Sequence, residues 1–330
     1  MFEKVLTTLL TVLAGISAAL VVFWVLNKLA ELMPSKWEER LKPLLYILPA
    51  YAAITIYLIY PTVRSLIYSF QTKVGFPAQE WVGMENYTEL LTSSAFQVTL
   101  FNTLLWMAFV PTMCVILGLI VAVLADRLKP RGEKSVKTLI FMPMAISMVG
   151  AAVVWGLIYD YRPEGQVQVG LQNAIITSLG FDPVAWLTVD TFRFNSFLLM
   201  VMMLWMQVGF SMVLLSAAVK GVPLETLEAA RIDGASERQI FFQVVIPQIR
   251  PTIITVFITV LIGTLKVFDI VFVMTNGNFK TNVIGNEFYL QFFNNNDQGK
   301  ASAVVMLMML ATIPIMAYQV RNFRREEANA

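Results

Sequence analysis

The 330-residue chain is 57% hydrophobic and only 14% charged, with a formal net charge of +2. Soluble globular proteins carry about 25% charged residues, so a soluble domain is excluded and the long uncharged runs indicate an integral membrane protein. The chain has no histidine, the commonest general base and metal ligand, and its single cysteine, Cys114, excludes an internal disulfide. We therefore expect a membrane protein without catalytic residues or a metal site.

Seven apolar segments are each near the length that crosses about 30 Å of hydrocarbon as a helix. Backbone groups in lipid must be hydrogen-bonded within the segment, so each run is predicted to be a transmembrane helix. The predicted spans cover residues 5–26, 44–63, 98–125, 138–159, 196–219, 252–274 and 301–319. The first run is longer than an ordinary signal-peptide core, so a retained helix is expected, although cleavage near residues 16–19 stays open.

The distribution of Lys and Arg predicts the orientation of these spans. Alternate loops and the C-terminal tail together hold sixteen basic residues, whereas the remaining loops hold six. Because basic loops stay in the cytoplasm, the N-terminus is predicted to lie outside and the C-terminus inside. The same bias places the polar segment 220–251 in the cytoplasm.

The polar segment 220–251 carries the signals of two consecutive helices. Pro223 is expected to begin the first helix and Gly234 to end it. Ser236 is expected to cap the second helix, with Gln239 completing a capping box. The segment is therefore predicted to form a helix–turn–helix along the cytoplasmic surface.

The apolar residues of the first helix share one face, and two prolines follow the second helix. Pro247 and Pro251 are expected to bend the chain back toward the membrane. A helix that only rests among the lipid headgroups is the alternative to a docking element. The apolar face comprises Leu224, Leu227 and Ala230, with Ile232 beside it.

The spacing within this segment favours a docking element. Glu228-Ala229-Ala230 is followed after three residues by Gly234, and nine residues later by Val244-Val245-Ile246-Pro247. This resembles the EAA loop of ABC-importer permeases, in which Ile and Leu stand where this chain has Val244 and Ile246. The resemblance implies that Glu228 pairs with an arginine of a partner ATPase, whereas Asp233 could contribute to coupling or be a local cap. The implied coupling residues are Glu228, Ala229, Ala230, Asp233, Gly234 and Pro247.

Other segments are similar to sugar-importer permeases. Phe268-Asp269 through Gly277 resembles the end of their penultimate helix, although Asn278-Phe279 replaces the usual Gly-Pro. The segments Trp81–Tyr87 and Asn102–Leu105 also look like that family, and residues 161–165 look most like the alpha-glucoside permeases of the maltose-type group. The resemblance covers about residues 44–325.

The resemblance implies an all-α fold in which six helices form a type I ABC importer core. Residues 1–43 would be an extra N-terminal helix and linker, 44–325 the core, and 326–330 a tail. The implied partners are a second homologous permease, two copies of a cytoplasmic ATPase that binds ATP and Mg²⁺, and an extracytoplasmic sugar-binding protein, with no cofactor in this chain and no nucleic acid. The implied location is the bacterial inner membrane.

Two charged residues lie inside one predicted span, where a charge near the bilayer centre costs at least about 2.5–3.5 kcal/mol. Lys266 and Asp269 are three residues apart, so they could meet on one face of a continuous helix. A neutralising pair that holds the helix in the bundle is favoured over a polar lining of the solute pathway. Thr264 lies near the same face and could bind a solute hydroxyl.

A stripe of residues at three- and four-residue spacing follows the fifth predicted span. Met and aromatic stripes are typical of packing, but Gln207 stands out because a buried amide needs hydrogen-bond partners. Similarity to the maltose permease places this stripe where that protein contacts its sugar. The predicted pathway residues are Met203, Met206, Gln207, Phe210, Thr264, Lys266 and Asp269.

Three other functions compete with that of a sugar importer. A membrane enzyme is disfavoured because the chain has no Walker lysine motif and no zinc-protease motif. A secondary transporter would need its own gradient-coupling groups, for which Lys266 and Asp269 are thin support. A permease for glycerol phosphate or another polyol stays open, since the sequence does not name the solute.

Overall fold

The computed structural model describes residues 2–31, 35–72 and 80–329. Lys73, one of the basic residues used to predict orientation, lies outside them. In these ranges the chain is helical, and its only extended pairing is an isolated antiparallel bridge between Gln71 and Trp81. The helices are α1 (Phe2–Glu31), α2 (Ser35–Ile54), α3 (Tyr60–Tyr68), α4 (Glu85–Thr92), α5 (Ser94–Asp126), α6 (Pro130–Phe141), α7 (Met148–Ile158), α8 (Leu171–Ser178), α9 (Phe194–Lys220), α10 (Leu224–Ile232), α11 (Glu237–Gln239), α12 (Ile246–Leu265), α13 (Asp269–Met274), α14 (Ile284–Tyr289) and α15 (Gln298–Asn329).

Six helical stretches in the described chain are long and apolar enough to cross a membrane, or seven if one bent pair counts as a span. The all-α, multi-span fold class is therefore confirmed. The six stretches are Glu3–Lys28, Lys42–Tyr68, Ser94–Asp126, Thr191–Lys220, Glu237–Leu265 and Gln298–Asn322.

The predicted span 138–159 is not one continuous helix. Residues Pro130–Ala145 and Met148–Ile158 form two helical stretches bent by 104°. A tight 3₁₀ turn at Met142–Ala145 contains Pro143, which cannot donate a backbone hydrogen bond. Ser147 then starts α7 by accepting a hydrogen bond from the backbone N–H of Gly150 at 3.1 Å. Proline and a new N-cap therefore divide this apolar run.

The predicted continuous helix 252–274 is also wrong. Helix α12 ends at Leu265, and α13 begins at Asp269. The backbone between them passes close to Gly285, where a Cβ atom would lie 2.5 Å from the carbonyl oxygen of Val267. Only a glycine at this position allows the interrupted backbone to pack against α14 at this distance.

The second helix of the polar segment 220–251 is not a separate surface helix. It is continuous with the following span, in a helical stretch of 29 residues from Glu237 to Leu265. Pro247 and Pro251 lie inside this stretch, so the prediction that they turn the chain is wrong. A wider π-helical segment, Ile240–Val245, comes directly before α12. Such a turn can accommodate both the missing N–H of Pro247 and its ring.

The chain divides into two compact units, Met1–Ile67 and Tyr68–Ala330. The predicted domain boundary at residue 43 falls inside α2. In the first unit, α1 packs on α2, and Tyr46 stacks on Phe23 with ring centroids 6.0 Å apart.

In the second unit, α9 lies at the centre and packs against α5, α6 and α12. The backbones approach closely where side chains are smallest. A Cβ atom on Gly209 of α9 would lie 2.4 Å from the carbonyl oxygen of Ile140 in α6. Small residues at helix crossings are typical of membrane bundles. In lipid, helix association depends on close van der Waals packing rather than on the hydrophobic effect.

Candidate functional sites: the EAA loop and the broken helix

The first helix of the EAA loop (residues 220–251) is a short helix with a well-defined end. Helix α10 runs from Leu224 to Ile232, directly after Pro223, as predicted. Gly234 follows with φ +81°, where only glycine avoids strain. The N–H of Gly234 donates to Arg231 O, and that of Ala235 donates to Ala230 O, each at 3.0 Å. This pair of bonds is a Schellman motif, which confirms the predicted role of Gly234 as the helix end.

The second helix begins with the predicted capping box. The backbone N–H of Ser236 donates to Oε1 of Gln239 at 2.8 Å, and the Ser236 hydroxyl accepts from the backbone N–H of Gln239. Hydrogen bonds on both sides therefore fix the backbone conformation between Gly234 and Ser236.

The apolar face of α10 is divided between two environments. Leu227 and Ala230 pack against a small core that includes Ile240, Val245 and Ile249. Two other aliphatic side chains point away from this core, with Leu224 59% and Ile232 86% exposed. Leu224, predicted to share a helix face with Leu227 and Ala230, is thus not covered by this core, and α10 presents an outer surface with exposed aliphatic groups.

Glu228 and Asp233 lie on the exposed side of this loop. Neither side chain forms a hydrogen bond or ion pair within the described part of the chain, and Glu228 acts on Arg231 through its charge alone. Arg231 instead binds Glu237, with Nε–Oε1 2.9 Å and Nη2–Oε2 3.4 Å. This hydrogen bond and the carboxylate charge raise the pKa of Arg231 above its usual value. The carboxylate of Glu228 is thus available to a partner, because the neighbouring Arg231 is bound by Glu237 instead.

A charged cluster joins the start of the EAA loop to two neighbouring helices. Lys137 of α6 lies 2.9 Å from Asp126 at the end of α5 and 2.5 Å from Glu133, and it also contacts the buried Ser216 of α9. Lys220, the last residue of α9, contacts Glu133 and lies 3.5 Å from Asp126. Two cations and two anions compensate each other here. Sequence reasoning used the lysines only to predict orientation and missed the cluster, because its members are brought together by three helices.

The predicted pathway stripe on α9 lies largely inside the helix bundle. Met203 and Met206 are buried in the main core, whereas Gln207 and Phe210 are half-buried. The Gln207 amide makes no side-chain hydrogen bond to the residues that the structure describes. Of the stripe, Gln207 and Phe210 are therefore the residues that keep exposed surface.

Lys266 and Asp269 do not share a helix face, because the break between α12 and α13 separates them. The described residues include no ion pair between them, so the predicted neutralising pair is absent from this structure. Lys266 is exposed and lines a mostly apolar cavity of about 410 Å³ together with Phe268, Tyr289 and Thr312. Thr264 is fully buried, and its hydroxyl donates to Val260 O at 2.8 Å.

A chain of aromatic rings extends from the helix break, and sequence reasoning missed it. Its members come from the residue before α13, from α13 and α14, and from the following π-helical turn. Consecutive ring centroids lie 4.6–5.0 Å apart. The four-residue spacing of Phe268 with Phe272, and of Tyr289 with Phe293, is the signal that could have revealed it. The rings in order are Phe268, Phe272, Tyr289 and Phe293.

The family-like Asn102-Thr103 pair holds the turn that follows the aromatic helix α13. The Asn102 amide donates to Lys280 O at 2.6 Å and to Asn282 O at 2.9 Å. The Thr103 hydroxyl accepts from the backbone N–H of Ile284 at 3.0 Å. These bonds connect α5 to a turn nearly 180 residues later, which explains why polar residues are found in this apolar helix.

The residue patterns agree with a known family. A family model described as "Binding-protein-dependent transport system inner membrane component" matches residues 114–326. The chain belongs to this family. The permease resemblance is therefore confirmed, and the chain is a transport permease subunit.

Individual relatives extend the similarity of this permease beyond the family segment. It is 42% identical, over 98% of both chains, to the alpha-glucoside transport system permease protein AglF of Rhizobium meliloti (strain 1021). It is 45% identical to the osmoprotective compounds uptake permease protein GgtC of Synechocystis sp., over 86% of this chain and 99% of that one. The fold matches a bacterial ABC transporter involved in the import of alginate, with a TM-score of 0.74 at 21% identity, covering 88% of this permease and 99% of that chain.

Proposed function

We propose that this permease forms one half of the transmembrane domain of an ATP-driven importer for a sugar, most specifically an oligosaccharide or alpha-glucoside. The observation that carries the proposal is the geometry of α10, which is followed by the turn at Gly234. This helix presents Glu228, which has no ion pair in the described residues, beside exposed aliphatic side chains. An acidic group on an apolar surface suits a groove in a partner ATPase that offers an arginine.

The remaining subunits follow from this assignment. A second homologous permease would complete the membrane domain, and two ATPase copies would bind ATP and Mg²⁺. An extracytoplasmic binding protein would deliver the sugar. The basic-residue bias supports a cytoplasmic EAA loop, an outside N-terminus and a cytoplasmic C-terminus in the bacterial inner membrane.

The continuous stretch from Glu237 to Leu265 supports a direct mechanical connection. Its 29 residues extend about 43 Å at the α-helical rise. One end is joined to α10 by the capped turn, and the other ends at the break beside Lys266. Movement of the loop when the ATPase closes would therefore be transmitted as a rigid-body rotation to the region of the predicted pathway.

The sugar assignment is supported by the relatives and by the aromatic rings beside the helix break. Aromatic faces pack well against the apolar faces of sugar rings, whereas a short linear polyol has no such face. The similarity to GgtC, whose name specifies osmoprotective compounds, supports a second candidate, a small polyol or another osmoprotectant.

The test is uptake by the assembled transporter in vesicles, with its cognate binding protein and a panel of oligosaccharides, monosaccharides and polyols. ATP-dependent uptake of an oligosaccharide is the expected result. Uptake of polyols alone would replace the sugar by the second candidate. Uptake by this chain alone, driven by an ion gradient and without ATP, would overturn the importer assignment.

A further inference from the structure

A cavity of about 450 Å³ lies beside the first turns of α9, at the opposite end of this helix from the EAA loop. Two wall residues contact α9 there. The ring centroids of Trp186 and Phe194 lie 6.0 Å apart, and the Tyr159 hydroxyl donates to Leu198 O at 3.1 Å. The EAA loop begins at Lys220, the last residue of the same 27-residue helix, about 40 Å away at the α-helical rise. The cavity is therefore separate from the ATPase-docking surface.

The wall of this cavity combines aromatic rings with a small number of polar groups. It is built from the end of α7, the residues that follow α7, the turn before α9 and one side of α13. Its volume lies within the range of about 300–1,000 Å³ that is usual for small-molecule sites. The aromatic and polar residues of the wall are Tyr159, Asp160, Tyr161, Trp186 and Thr188.

Two separate parts of this wall are held by one buried amide, that of Asn173 in α8. Its Nδ2 donates to Asp160 O at 2.9 Å and to Val184 O at 3.0 Å. Its Oδ1 accepts from the backbone N–H of Val184 and from Nε1 of Trp186, each at 3.0 Å. Because the Asn173 side chain is fully buried and all its polar atoms are bonded to the wall, the indole ring is positioned before a ligand binds.

The charges around the cavity favour a neutral ligand. The described residues of the wall include no Lys or Arg, so a phosphate or a carboxylate would find no counter-charge there. The carboxylate of Asp160 is partly compensated by Arg162, whose Nε lies 3.7 Å from Oδ2 and which is not part of the wall. A carboxylate accepts several hydrogen bonds, so Asp160 can still bind the hydroxyl groups of a ligand.

We propose that this cavity binds one ring of a saccharide on the side from which the solute enters. The apolar face of the sugar ring would pack on Trp186 or Tyr161, and its hydroxyls would donate to the Asp160 carboxylate. An open-chain polyol has no such face, and a quaternary ammonium ion would be opposed by the guanidinium group beside Asp160. This site rests on the proposed import of a sugar and on the orientation that places the EAA loop in the cytoplasm.

The position of α13 connects this cavity with the predicted pathway. Val273 and Met274 of α13 line the cavity, whereas Phe272 of the same helix belongs to the chain of aromatic rings at the helix break. The cavity would therefore hold a saccharide next to the predicted pathway. Its affinity would influence the KM for uptake and would leave the coupling to ATP unchanged.

The experiment uses the assembled transporter in nanodiscs, without ATP and without binding protein, and a maltotriose that carries a photoactivatable diazirine. We expect labelling of peptides that contain residues 159–161 or 185–188, and displacement of the probe by unlabelled maltotriose. Tyr161→Ala combined with Asp160→Asn should weaken labelling about 30-fold, the loss expected for one ring contact and one hydrogen bond to a charged group. The KM for uptake with binding protein should rise in the same variant.

A matched variant in the same loop separates loss of the site from loss of the fold. Phe181→Ala combined with Asp182→Asn removes an exposed ring and an exposed carboxylate outside the cavity wall, and it should leave labelling unchanged. Unchanged labelling of the Tyr161 and Asp160 variant, or an equal loss in the matched variant, would overturn the proposal. Displacement of the probe by sorbitol would overturn recognition of a sugar ring, and displacement by glycine betaine would assign a cation site instead.

ATP-dependent uptake, measured on the same preparation, distinguishes this proposal from the proposed function. Uptake of maltotriose without labelling of the wall would overturn the outer site and leave the importer assignment intact. Labelling of the wall without uptake of any saccharide would support the outer site and overturn the sugar assignment.

Discussion

Gly118 of α5 packs directly against Ser211 of α9, and a Cβ atom on Gly118 would lie only 2.7 Å from the Cβ of Ser211. The same atom would lie 3.0 Å from the backbone nitrogen of Met212. Because the nearest atoms belong to Cβ and the backbone, no side-chain rotation can relieve the clash. The spacing of the two central helices therefore depends on this contact.

Gly118→Val is expected to force α5 and α9 apart and to destabilise the permease by about 1–3 kcal/mol, the usual cost of overpacking. Thermal unfolding in detergent measures the effect. Gly263→Ala is the matched control, since a Cβ there meets nothing within 4 Å. If both variants melt at the temperature of the wild type, the close contact is not important for stability.

Glu228→Arg is expected to abolish transport and the coupled ATPase activity while leaving binding by the extracytoplasmic protein intact. The reason is that an arginine would repel the cation expected on the ATPase. Glu225→Arg makes the same charge reversal on the same helix outside the motif and should retain most activity. Wild-type uptake by the Glu228 variant would remove the coupling role.

Gly234→Pro tests the geometry of the loop rather than its charge. Proline holds φ near −65°, whereas Gly234 has φ +81° and donates a backbone hydrogen bond to Arg231 O. We expect loss of uptake and of ATPase stimulation with the spans still folded, as judged by circular dichroism. Normal ATP-dependent uptake would show that the Schellman turn is dispensable.

Gln207→Ala combined with Phe210→Ala is expected to weaken solute transport without loss of complex assembly. Removing a polar contact and a ring contact at about 1 kcal/mol each predicts a KM roughly 30-fold higher. Met202→Leu, a conservative change at a fully buried position of the same helix outside the stripe, is the control. An unchanged KM in the double variant would exclude this part of α9 from the pathway.

Asp190 and Lys280 form a pH-sensitive contact, with Oδ2 and Nζ 2.7 Å apart. The hydrogen bond from Lys280 and its charge hold the pKa of Asp190 below the usual value. The contact therefore contributes stability above the ordinary pKa of an aspartate, and this contribution is lost as the pH falls through the lowered pKa. Hydrogen exchange of residues 276–281 should differ between the wild type and Asp190→Asn at neutral pH and converge in acid. A difference independent of pH would contradict this account.

Much of this protein could be predicted from local sequence signals. Apolar run lengths predicted five of the seven spans as continuous helices. The Gly234 turn and the Ser236–Gln239 capping box were predicted at the correct residues. These features depend on residues that are near in sequence, such as a glycine at positive φ or a side chain that caps its own helix.

The helix break at Lys266 and the exposure of α10 could not be predicted in this way. Residues 252–274 form one apolar run with no proline, and the backbone interruption packs against Gly285 in another helix. At Pro247 the sequence predicted a bend that is absent from the structure. The π-helical segment before Pro247 allows the helix to continue through the proline.

The sequence by itself determined a multi-span membrane protein and the family of its EAA loop, because hydrophobic length and local turn chemistry do not depend on distant contacts. Only the tertiary structure decided which helices break and which polar groups meet. The separation of Lys266 from Asp269 and the cluster around Lys137 both depend on contacts between elements far apart in the chain. Their positions depend on helix packing, for which the distance between Gly118 and Ser211 is one determinant.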